Sequence, residues 1–203
     1  MEMNWKDNCA EIFGSLVLTY LLLSLWSGEG EAGMIQWALA LAVLWTAFSG
    51  ADIIPALTVG RMLNDQDWES GGVKVVCQIV GAAGAGVLAL VATQGDATMV
   101  AYSGPIEIST DLAHWVTVLV GGGLTYTVWT RCEGLVQAGG IGLAAVAGMD
   151  IVFTGGAHAG TMLIGLADGG DFEFLGLAMF VANAVVFGVG AWMATRIEAE
   201  LDK

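Results

Sequence analysis

The chain has 203 residues, 56% of them hydrophobic and 13% charged, with a mean hydropathy of +0.73. Soluble domains carry roughly 25% charged and 45–50% apolar residues, so this composition excludes an ordinary soluble fold. A net charge of −14 and a pI near 4.1 argue against nucleic acid or an anionic lipid surface as a partner.

Six segments contain no Asp, Glu, Lys or Arg: residues 12–26, 32–51, 75–95, 112–130, 134–149 and 174–195. About 20 predominantly apolar residues make a helix that crosses a bilayer core of about 30 Å. With neighbouring residues added to the two shorter segments, the pattern predicts six spans, at roughly 10–26, 32–50, 74–94, 112–130, 137–154 and 174–195. Barrel strands alternate apolar and polar residues, whereas residues 16–25 and 82–92 are apolar all round. The fold class is therefore all-α membrane protein. Most of the 30 glycines read as surfaces where helices approach closely.

No cleavable signal peptide is expected, because the first segment is long and no small-residue cleavage site follows it. Cys9, Cys77 and Cys132 lie in or beside spans and read as free thiols. No nucleophile–base pair, metal-ligand cluster or phosphate loop is present, so neither an enzyme nor a cofactor is indicated. The six cations are Lys6, Arg61, Lys74, Arg131, Arg196 and Lys203, and all fall on one side of the six-span layout. The positive-inside rule makes that side cytoplasmic, with both termini on it.

Two connections hold apolar sequence beyond the six spans. One follows the second span, from Ser49-Gly50-Ala51-Asp52 to Gly60. The other follows the fifth, from Thr154-Gly155-Gly156-Ala157-His158 to Gly165. Each closes on a Gly ten positions after its first Gly, and the offset between them is 105 residues. Three spans per repeat invert the second copy, and interrupted segments at matching places point to a site near the membrane midplane. The chain reads as one membrane domain, with repeat one at about 9–94, a connecting loop at about 95–111 and repeat two at about 112–198.

On these motifs, with Ala10-Glu11-Ile12-Phe13-Gly14 opening span one and Gln78 in span three, the chain resembles the aquaporin and glycerol-facilitator family. The resemblance implies six spans plus two re-entrant half-helices, a homotetramer in the bilayer, and permeation of water or a small neutral solute. Pro55, Ala56, Thr58 and Gly60 match the first family motif, but Ile54 stands in place of Asn and Asp52 in place of His. In the second motif, Ala159-Gly160-Thr161-Met162 replaces Asn-Pro-Ala-Arg.

In the family each Asn caps its half-helix and offers donors to water. Ile54 and Ala159 can do neither, which leaves Thr161 or His158 to compensate in part. Losing such a cap costs roughly 1 kcal/mol. The half-helix dipoles still place positive potential at the pore centre, and an apolar constriction there can gate by dewetting. The resemblance places Met162, Ala147, Gly156 and a residue near Trp37 around the outer filter, an apolar ring poor in donors.

The remaining ionisable residues are read against structural alternatives. Glu11 stands where the family has a buried Glu fixing the second loop's backbone, while its counterpart in span four is replaced by Gly121 or a neighbour. Asp52 is expected at the cytoplasmic vestibule, solvated or bonding loop amides, or else attracting cations or gating. Asp150 and His158 flank the second loop and pair with each other more readily than they relay protons. Two functions follow: a passive channel with an unusually apolar pore, or a non-conducting subunit of the same fold in a membrane complex. A plasma or inner membrane location goes with either.

Overall fold

The computed structural model describes residues 5–24, 40, 43–48, 51–94, 109–132, 134, 136, 140, 174–201 and 203. Regular structure among these residues is entirely helical: α1 (Trp5–Ser24), α2 (Pro55–Asp65), α3 (Trp68–Ala92), α4 (Leu112–Arg131) and α5 (Phe174–Leu201). Residues 43–47 form a further helical stretch.

Helix α4 begins where its apolar segment predicts. The others overrun their segments: α1 starts at Trp5 rather than near residue 10, α3 at Trp68 rather than 74, and α5 runs to Leu201 rather than 195. Local chemistry explains the early start of α3. Gln66 ends α2 in the left-handed conformation, and Asp67 then caps α3 by accepting from the Ser70 amide at 3.1 Å. Such a cap is worth roughly 1 kcal/mol, enough to carry the helix into polar sequence. As a result Lys74 lies two turns inside α3 instead of at its end.

Polar and apolar residues are distributed inside out. On α1, Asn8, Glu11, Ser15 and Thr19 recur every three or four residues and are all buried. On α3, by contrast, Val76, Val80, Val87 and Val91 are about half exposed or more, as are Val116, Val120 and Leu124 on α4. Polar groups facing a bundle interior beneath an apolar exterior are what a hydrocarbon solvent selects. α3 and residues Ala178–Leu201 of α5 are long and apolar enough to cross a membrane.

Helix α1 packs on α3, and α4 on α5. Both contacts depend on missing side chains: a Cβ at Gly81 would strike the Ile12 carbonyl, and one at Gly122 the Phe187 carbonyl. The Arg131–Glu198 ion pair ties the ends of α4 and α5. The short α2 packs most extensively on α5 and also meets α3 and α4. Thr195 donates to Asn64 Oδ1 at 2.6 Å across the α2–α5 contact.

Candidate functional site at the first re-entrant loop

Residues 51–54 form no helix, yet Ala51, Asp52, Ile53 and Ile54 are all buried. Buried backbone needs a partner for every polar group, and the N–H groups of this stretch all have one. Ala51 donates to Phe48 O at 2.9 Å, Asp52 to Glu11 Oε1 at 2.8 Å, Ile53 to Glu11 Oε2 at 2.7 Å, and Ile54 to Asp52 O at 2.7 Å. The Ala51 carbonyl accepts from Trp45 Nε1 at 3.0 Å, and the Trp45 ring rests on Trp129 of α4 with centroids 4.5 Å apart.

Ile53 has φ = 65°. For a β-branched residue this left-handed conformation is strained, at a cost of order 1–3 kcal/mol. The two-pronged grip of Glu11 on consecutive amides holds it. Gly14, one turn further along α1, makes room: a Cβ there would come within 2.8 Å of Ile53 Cγ1.

Pro55 occupies the first helical position of α2, where its fixed φ suits the geometry. Ile54 precedes it in extended conformation and makes no side-chain cap. Its carbonyl accepts from the Leu57 and Thr58 amides at 3.1 and 3.3 Å. The Ile54 side chain is buried in an apolar cluster with Leu18, Trp45, Leu57, Val118 and Phe187, and Ala56 belongs to the same cluster.

Around this loop lies a compact set of charges. The Asp52 carboxylate, 1% exposed, receives Arg61 Nη1 at 2.7 Å on Oδ1, and Lys74 Nζ at 3.6 Å with the Thr58 hydroxyl at 3.3 Å on Oδ2. The Glu11 carboxylate, fully buried, receives Lys74 Nζ at 3.5 Å and Gln78 Nε2 at 2.7 Å in addition to its two amides. Lys74 therefore bridges two carboxylates hidden from water. Gln78 Nε2 also lies 2.8 Å from Thr58 Oγ1, and the Ser15 hydroxyl donates to the main-chain carbonyl of Gln78 at 2.8 Å. Gln78 Oε1 is buried without a hydrogen-bond partner among the described residues.

One sequence expectation changes here. Asp52 is not solvated by a vestibule; Arg61 and Lys74 cover it and compensate its charge. Glu11 grips the first loop, accepting from the Asp52 and Ile53 amides on its two oxygens, while the second loop, whose backbone it was expected to fix, lies outside the described residues. Arg61 and Lys74, read from sequence only as markers of membrane side, prove to be members of the site. The spacing held a signal for Lys74: it precedes Gln78 by four residues, so the two share one face of α3.

A second polar contact was not anticipated. His114 Nε2 lies 3.0 Å from Asn183 Oδ1, joining α4 to α5. Asn183 follows Gln78 by 105 residues, and each joins a pair of packed helices by a side-chain hydrogen bond. Ala159, Gly160, Thr161, His158 and Asp150 of the second loop lie outside the described residues, as do Ala147, Gly156, Met162 and Trp37 of the expected outer filter.

No protein-family model and no curated protein matches the chain. Among solved structures, the X-ray structure of the aquaglyceroporin from Plasmodium falciparum matches with a TM-score of 0.71 at 18% sequence identity, over 97% of each chain. With the inside-out helices and the buried loop opening α2, this likeness establishes the all-α, aquaporin-like membrane fold.

Proposed function

We propose that this chain is a passive membrane channel for water or a small neutral solute. The observation that carries the reading is the buried irregular backbone of residues 51–54 opening α2. At membrane depth, non-helical backbone is tolerated only where it is buried in protein or lines a water-filled cavity. Interrupted segments of this kind mark substrate sites in inverted-repeat membrane proteins. The name of the solved neighbour, an aquaglyceroporin, points the same way. Gln78 Oε1, a buried acceptor without a partner among the described residues, is a group that the O–H or N–H of a passing solute would satisfy.

The reading includes the inverted repeat, with the α1–α3 and α4–α5 contacts as matching pairs, the half-helix starts at Ile54, Pro55, Ala56 and Ala159, Gly160, Thr161, and an outer ring of Ala147, Gly156, Met162 and Trp37. It also includes a homotetramer with one pore per subunit. A second reading, a non-conducting subunit of a membrane complex, draws support from Ile54, whose side chain caps nothing and sits in an apolar cluster.

Stopped-flow osmotic shrinkage of proteoliposomes separates the two. The channel reading expects water, or one of glycerol, urea and ammonia, to cross faster than in protein-free liposomes. Background rates for every solute would leave the non-conducting reading.

A further inference from the structure

Helices α4 and α5 approach backbone to backbone. A Cβ at Gly190 would strike the Leu119 carbonyl, and one at Gly123 would lie 3.3 Å from the Gly190 carbonyl oxygen and 3.4 Å from Ala194 Cβ. These small residues line an open groove of about 490 Å³ between the two helices. Larger apolar side chains flank them, Val120 and Leu124 from α4 and Met193, Ile197 and Leu201 from α5. All five are between 40 and 80% exposed. Thr127 also lines the groove, but its hydroxyl donates to the Gly123 carbonyl at 2.8 Å, so that donor is satisfied within α4.

The groove is charged at one end only, where Arg131 meets Glu198. From Leu119 to Arg131 it follows α4 for about 18 Å at 1.5 Å per residue. That is close to the depth of one leaflet, since the whole hydrocarbon core is about 30 Å thick. The Arg131 side chain is 58% exposed. Its Nε and Nη2 both donate to a single oxygen, Glu198 Oε1, and its Nη1 makes no hydrogen bond among the described residues. A guanidinium presents its donors in a planar fork that suits phosphate.

We infer that this groove holds one phospholipid molecule, with an acyl chain laid along it and the phosphate on Arg131. The inference rests on the membrane fold and not on conduction. Glu198 steadies the guanidinium across the end of the groove, and Nη1 is left to meet the phosphate. The net charge of −14 opposes an anionic membrane surface as a whole, whereas one guanidinium selects one phosphate locally. A zwitterionic phosphatidylcholine meets both conditions. An apolar helix of a second copy would match the side chains along the groove but leave Arg131 unmatched.

The test is native mass spectrometry of the full-length chain in detergent, titrated with dioleoyl phosphatidylcholine or with dioleoylglycerol, which has the same acyl chains and no phosphate. One phosphatidylcholine per chain is expected, at an occupancy several-fold above that of the diacylglycerol. R131Q should lower phosphatidylcholine occupancy several-fold. E198Q breaks the ion pair but keeps the cation, and should bind at least as well as the wild type. L124W, which fills the groove from an exposed position, should lower occupancy by both lipids. Equal binding of the two lipids by the wild-type chain overturns the inference. So do equal losses in R131Q and E198Q, which would mean that Arg131 only ties α4 to α5. Lipid-free dimers that L124W dissociates would make a second copy the occupant, and overturn it as well.

Discussion

Lys74 stands between two carboxylates that are almost wholly buried, and its ammonium lies within ion-pair distance of both. Taking ions out of water costs several kcal/mol each, so removing one partner of a buried set leaves the others uncompensated at roughly 3–5 kcal/mol. Lys74→Met is therefore expected to destabilise the chain by about that amount, read as thermal or denaturant unfolding in detergent. Combining it with Asp52→Asn should recover part of the loss, because one stranded carboxylate goes with the lost cation. Strictly additive losses would mean that Lys74 and Asp52 do not interact. At the same scale, the missing cap at Ile54 and the strained φ of Ile53 are both offset from outside α2, by Glu11 and by the apolar cluster around Ile54.

Helix α3 carries three kinds of face: small residues toward α1, Lys74 and Gln78 toward the loop, and a valine stripe outward. Gly81→Val would drive a side chain into the Ile12 carbonyl and force α1 and α3 apart, at about 1–3 kcal/mol for overpacking. Gly72, where a Cβ meets nothing within 4 Å, is the control. Gly72→Ala should be neutral or stabilise by up to about 1 kcal/mol through helix propensity, and equal losses at both sites would refute the packing account. The class of the helices was legible in the sequence because charge-free runs such as 112–130 need no tertiary information. The limits of α3 were less legible, since a local cap at Asp67 outweighed the polarity of the first turns. The partners of Asp52 were not legible at all: Arg61 and Lys74 reach it from two helices, through a distance that hydropathy does not encode.

Across the whole molecule, the six cations on one side of the six-span layout predict a definite orientation. Tags at the N- and C-termini should be cleaved together by protease added to the cytoplasmic face of vesicles. Cleavage of only one would contradict an even number of spans. The chief partner of α2 also has a consequence for how the chain is made. Residues 55–65 leave the ribosome more than 100 residues ahead of α5, at Phe174–Leu201. At about 5–20 residues per second, that is a delay on the order of ten seconds. Once α3 has followed, and before α4 does, α1 and α3 are the only long described helices already synthesised, and Glu11, Lys74 and Gln78 can receive Asp52, Ile53 and Thr58. The α5-facing side of α2, with Val59 and Leu63 aimed at Gly188, waits for its cover. The buried charges thus hold an early assembly in register until the apolar interface arrives to close it.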